Sequence, residues 1–142
     1  MKILVPVDGS ETSSRAIDHL VKKAAWHGAD TEIHLLNVQH SIPYGSRVSA
    51  VIGREALEQY HREEGLAALQ PARAKLDAAG LKYQCHILVG EPAEKIVQYA
   101  RENGCEQIFM GTHGRGAVSK VLLGSVASKV VALSDVPVVL VK

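Results

Sequence analysis

The sequence has two cysteines in 142 residues, Cys85 and Cys105, and no Cys-x-x-Cys pair. That argues against a disulfide framework or a redox pair and favours two reduced, partly buried thiols in a cytoplasmic protein. Seven histidines are present, but none pairs at His-x-x-x-His or with cysteine at metal spacing, so a structural metal is not expected. Charge of one sign is also missing: the formal net charge is +1, which gives no electrostatic footprint for nucleic acid or an acidic membrane. No apolar run approaches the roughly 20 residues of a membrane span. The opening "MKILVPVDGS" enters a strand pattern at once and lacks the features of a secretion signal. Internal repeats, linkers and low-complexity tracts are not visible, and one domain over 1–142 is expected.

What is there is an alternation of apolar runs and helical periodicity. Ile3–Val7, Ile33–Val38, Tyr83–Val89, Gln107–Met110 and Val136–Val141 read as strands. Between them, Ala16, Ile17, Leu20, Val21, Ala24 and Ala25 repeat at helical spacing, with Ser and Thr available to cap the start. Residues 40–53 carry Pro, Gly and Ser and read as a long loop. A helical region follows from about Arg54 to Ala79, striped by Leu66, Leu69, Ala72, Leu76 and Ala79. Gly65 and Pro71 inside it predict a kink or break. Pro92 opens a further helix that Asn103-Gly104 closes. The last helix is placed at Ser125–Leu133.

Strands separated by helices imply parallel pairing through right-handed crossovers. The fold class is therefore α/β, a doubly wound, five-stranded parallel sheet with helices on both faces, Rossmann-like. Strands 1 and 4 are apolar on both faces, as central strands are. The third alternates with mostly polar residues, which suits an edge. The order 3-2-1-4-5 satisfies both and puts the ligand crevice at the carboxyl ends of strands 1 and 4, beside Asp8 and Gly111. Pro6 gives no N–H to a ladder, so it marks where pairing stops and the crevice begins.

Residues 110–131, "MGTHGRGAVSKVLLGSVASKVV", hold the most distinctive spacing, Gly111-x2-Gly114-x9-Gly124-Ser125. Glycine lets a ligand approach the backbone, and successive N–H groups can form an anion-binding concavity. Ser125 is expected to N-cap the last helix, whose start suits a phosphate. Arg115 and Lys120 offer charge-assisted contacts. The loop is neither a G-x-x-x-x-G-K-[ST] P-loop nor a dinucleotide fingerprint. On glycine count alone, a structural turn and a phosphate cradle both remain open. Asp8 has two readings as well, a turn cap or a nucleoside contact. His113 reads as a loop histidine facing solvent or as a phosphate ligand.

Over its full length the chain resembles the universal stress protein family of the nucleotide-binding kind. The resemblance is carried by "ILVPVDGSETSSRAI", "VGEPAEKIVQYARENGCEQIFMGTHGRG", "LLGSVASKVV" and the G-x2-G-x9-G-[ST] spacing. It implies ATP in the crevice, with Mg2+ or Mn2+ near Asp8, and AMP or a cyclic nucleotide as competitors. Gly111, Gly114, Gly124 and Ser125 would hold ribose and phosphates, and Asp8 would lie against the nucleoside. The Val38 backbone would meet the adenine edge, with Pro6, Val7 and Met110 as walls. Thr112, His113, Arg115, Gly116 and Val126 complete the candidate set. Arg115-Gly116, Leu133 and Val136 depart from residues common in the family.

The terminal run "VPVVLVK" is apolar on both faces and falls at a sheet edge, which invites a second copy to pair there. The resemblance implies homodimers too, through 136–141. Function reads as a nucleotide-dependent stress-response or signalling switch with at most slow ATP hydrolysis or autophosphorylation. The alternatives are a dimeric interaction module without nucleotide, and a weak ATPase or nucleotidyl transferase. Near strand 1 the stretch "VDGSETSS" carries neither the S-G-G-x-D-S nor the H-x-G-H motif of such transferases, and no Ser-His-Asp constellation is present to support catalysis.

Overall fold

A computed structural model describes residues 1–28, 30–42, 53–113 and 123–142. Its elements are β1 (Lys2–Pro6), α1 (Glu11–His27), β2 (Glu32–Gln39), α2 (Arg54–Ala78), β3 (Tyr83–Val89), α3 (Pro92–Glu102), β4 (Gln107–Gly111), α4 (Ser125–Leu133) and β5 (Val138–Val141). The five strands form one sheet in the order β3-β2-β1-β4-β5, and every pairing is parallel. This is the doubly wound α/β architecture expected, with its switch between β1 and β4.

Period-two alternation along the strands makes two cores. Ile3, Val5, Leu35 and Phe109 pack with Ile17 and Leu20 of α1 and Leu69 and Leu76 of α2 on one face. Leu4, Leu36, Ile108 and Met110 pack with Ile96 and Val97 of α3 and Val130 of α4 on the other. Ser10 caps α1, its Oγ accepting from Ser13 N at 3.2 Å. Lys75 ties α2 to α1, donating to Ser14 Oγ at 2.7 Å and pairing with Asp18 at 2.8 Å.

Two expectations need correction. The break at Gly65 and Pro71 does not occur, and α2 runs on for 25 residues. Gly65 is buried where a side chain would meet Ile87 at 2.8 Å, so its missing Cβ lets α2 settle on β3. Pro71 sits on the exposed side, where the carbonyl it leaves unpaired can face water. The buried stripe is His61, Gly65, Ala68, Leu69, Ala72 and Leu76, while Leu66 is turned outward. Second, β5 begins at Val138, not Val136. Ser134 Oγ bonds both the Val136 carbonyl and its N–H, at 2.7 and 3.1 Å, and this turn holds residues 134–136 out of the strand.

A polar layer lies inside the α3 side. His34 is buried, its Nδ1 is 2.7 Å from the Tyr99 hydroxyl, and its ring stacks on His86 at 5.7 Å. Burial pushes the Tyr99 hydroxyl up to about 12, so it stays protonated and available to donate. Burial pulls the His34 imidazole below its ordinary value; a bond to Glu32 opposes this, and Lys2 and His86 reinforce it. A lowered folded-state value means that the unfolded chain takes up the proton first as pH falls. The stability that neutral His34 contributes is complete above its ordinary value of 6.5 and is lost as pH falls from there through the folded-state value. Urea midpoints should therefore drop between pH 7.5 and 5. His34→Gln should flatten that drop, and an unchanged slope would contradict the assignment.

Candidate functional site

The crevice forms because β1 loses both neighbours at its carboxyl end. Ile3, Val5 and Val7 direct their N–H groups to β2, as the bond from Val7 N to Leu36 O at 2.8 Å shows. Lys2, Leu4 and Pro6 therefore face β4. The β1–β4 register runs only to Leu4↔Ile108. The next rung would need an N–H at residue 6, which proline lacks. The expected role of Pro6 as the point where pairing stops is what the register shows.

Between the parted strand ends lies a cavity of about 700 Å³, within the usual range for small-ligand sites. Pro6, Val7, Asp8, Val38, Met110, Gly111 and His113 line it. Gly124, Ser125 and Val126 line its α4 end. Thr112 lies behind: it is buried, its N–H donates to Val141 O at 3.1 Å, and its carbonyl accepts from Gly124 N at 2.6 Å. That last bond clamps the start of α4 to the end of β4. Gly114, Arg115, Gly116 and Lys120, like most of the long loop (43–52), fall outside the described residues.

One expected role, Ser125 as the N-cap of α4, is corrected, and two others take a more definite form. The N-cap of α4 is Gly124, with extended backbone and no side-chain capping bond, and Ser125 is the first helical residue. Gly124 makes no side-chain capping bond, and among the described residues this helix start turns the N–H groups of Ser125 and Val126 and the positive dipole end to the cavity. Asp8 lines the crevice and also closes the turn after β1, its Oδ1 accepting from Ser10 N at 2.8 Å. Gly9 follows at φ 83°, a conformation suited to glycine. Gly111 is needed for a different reason than ligand approach: a Cβ there would meet the Thr12 carbonyl carbon at 2.5 Å. Its missing side chain lets the first turn of α1 pack on β4. The Thr12 hydroxyl completes the contact by bonding the His113 carbonyl.

Several lining residues carry no motif. Ser10, Asn37, Gln39, His40, Pro92 and Ile96 reach the cavity only because the topology brings α1, β2 and α3 to one end of the sheet. α3 is anchored there through its cap. Burial works to raise the Glu91 carboxyl, but the N–H groups of Glu94 and Ala93 and the Lys129 ammonium outweigh it and hold the carboxyl below its ordinary value. Lys129 reaches Glu91 at 3.5 Å and Glu94 at 3.7 Å, linking α4 to α3.

The β2 backbone adds a polar edge. Even-numbered residues of β2 face β1, as the bonds from Glu32 N to Met1 O and from Val7 N to Leu36 O show. Odd-numbered ones face β3, as the bond from Gly90 N to Gln39 O shows. Val38 therefore points its N–H and C=O past the end of β1, into the crevice. A paired donor and acceptor, apolar walls and a bare helix start together match a flat heterocycle carrying an anionic tail.

The universal stress protein family profile matches residues 1–142. The chain belongs to the universal stress protein family. Universal stress protein MJ0531 of Methanocaldococcus jannaschii is 33% identical over 141 residues, 99% of this chain and 81% of its own. The solved structure of protein MJ0577 superposes with a TM-score of 0.79 at 33% identity, covering 99% of this chain and 94% of that one. A universal stress protein solved in complex with cAMP aligns with a TM-score of 0.71 at 26% identity over 100% of this chain and 97% of that one. In this universal stress protein, no group of three or more metal-ligating side chains gathers among the described residues. Nor is any described helix long and apolar enough to cross a membrane.

Proposed function

We propose that the chain binds ATP in the crevice and works as a nucleotide-dependent switch in a stress response, the 142 residues acting as one domain. The observation that carries this reading is the Val38 edge lining the same cavity as the α4 start, which no described side chain caps. Adenine would donate its amino group to the Val38 carbonyl and accept the Val38 N–H at ring N1. Pro6, Val7 and Met110 would flank the base and sugar, and Asp8 would lie against the nucleoside. Phosphates would run to Gly124, Ser125 and Val126, where the N–H groups of Ser125 and Val126 and the helix dipole favour negative charge. The flanking residues Thr112, His113, Gly114, Arg115 and Gly116 complete the assignment. A Mg2+ or Mn2+ ion would be held mainly by the phosphates, with Asp8 as its protein carboxylate. AMP and cyclic nucleotides share the adenine and would compete, and the similarity to a protein solved with cAMP supports this. Hydrolysis is at most slow on this reading. The nucleotide would act by shifting the population of surface loops that partners read.

Calorimetry tests the phosphate end. Gly124→Glu places a carboxylate where the phosphates lie and should weaken ATP at least tenfold, about 1.4 kcal/mol or more, while weakening adenosine far less. Equal losses for both ligands, or none, would reject the placement.

We also propose that the chain pairs with a second copy through β5. Among the described residues β5 is hydrogen-bonded on one side only, by β4, and Leu140 is exposed. Val131 and Leu133 of α4 are exposed apolar residues too. Sedimentation should give a dimer at micromolar concentration and a monomer for Leu140→Lys. A wild-type monomer would refute the pairing.

A further inference from the structure

Where the β1–β2 ladder ends, a side chain takes the place of a backbone rung. The rungs alternate regularly from Glu32 N to Met1 O up to Val7 N to Leu36 O. The next one in a parallel ladder would run from Val38 N–H to Val7 C=O. It is not formed. The Val7 carbonyl accepts instead from Asn37 Nδ2 at 2.8 Å. Asn37 is 2% exposed, and its Oδ1 accepts from Gln39 Nε2 at 2.6 Å. The two bonds fix which end of the amide is which: oxygen toward Gln39, nitrogen toward Val7.

We propose that Asn37 is a positioning residue for the nucleotide: by occupying the Val7 carbonyl, it keeps the Val38 N–H out of the sheet and open to the base. The inference rests on the adenine assignment made above and adds to it the device that keeps the reading edge available. A buried carbonyl needs a donor. The Val7 carbonyl has the Asn37 amide seated on it and makes no ladder bond to the Val38 amide, which is thereby left for the crevice. Asn37 is committed by its second bond to Gln39, so Val38 remains. Without the Asn37 donor, β2 would close onto β1 by one more rung. That rung would spend the N–H that meets adenine N1, while the Val38 carbonyl, the apolar walls and the α4 start would stay as they are. The sheet would lose no net hydrogen bond at Val7, so the effect would fall on base recognition and not on folding.

The test pairs a substitution in the protein with one in the base. ATP and 1-deaza-ATP, which carries C–H in place of ring N1, are titrated into wild type and Asn37→Leu by calorimetry. Wild type should prefer ATP about tenfold, the size of one neutral hydrogen bond. Asn37→Leu should bind the two within about twofold of each other, with 1-deaza-ATP affinity near the wild-type value. A tenfold preference that survives the substitution, or a parallel loss for both ligands, overturns the proposal. Asn37→Val, smaller and also without a donor, serves if Asn37→Leu does not fold. Amide hydrogen exchange on the ligand-free protein is the second arm. The Val38 N–H should exchange fast in wild type and become at least tenfold more protected in the variant. Protection already present in wild type, or unchanged by the substitution, overturns the role of Asn37 by itself. If wild type binds neither triphosphate, the adenine assignment is what fails, and the exchange result still decides whether Asn37 holds the rung open.

Discussion

The absence of one N–H, at Pro6, is the constraint on which the site depends. Every other residue of β1 can continue the ladder on both sides. Proline cannot donate toward β4, so that pairing ends at Leu4↔Ile108. The chain reversal of a doubly wound sheet makes a crevice possible at this position. Pro6 sets the depth at which it opens. On the other side of β1, Asn37 ends the β2 pairing one rung early by bonding Val7. The cavity floor is thus fixed by two chemically specific interruptions of an otherwise regular sheet.

Around that floor the fold supplies rigid walls. α1 is held close by the absence of a side chain at Gly111 and by the bond from Thr12 to the His113 carbonyl. The start of α4 is held by Gly124 N on Thr112 O, and Lys129 links α4 to α3 through Glu91 and Glu94. Residues 113 and 124 are thereby pinned at the two ends of the glycine-bearing segment.

The strand order and the position of the crevice were legible in the sequence because each follows from periodicity and parallel topology, whereas most of the candidate set from Pro6 to Val126 was implied by the family resemblance. Pro6 was readable for a local reason, its missing donor. What escaped depends on tertiary contact. Nothing local to Gly65 shows that Ile87 will fill its place and keep α2 whole. Gly111 looks like room for a ligand until Thr12 is found against it. Asn37, Pro92 and Ile96 lie on elements that meet the crevice only once the sheet is assembled. Ser125 was displaced from the cap by one residue because Gly124, with no side chain, is drawn onto the Thr112 carbonyl.

The most direct test of the account is a crystal structure of the protein grown with ATP and a divalent ion. The account predicts adenine between Pro6 and Met110 with its amino edge on the Val38 backbone, and phosphates beside Gly124 at the N–H groups of Ser125 and Val126. A nucleotide bound with its base away from Val38, or a crevice closed by its own side chains in the presence of saturating ATP, would contradict it.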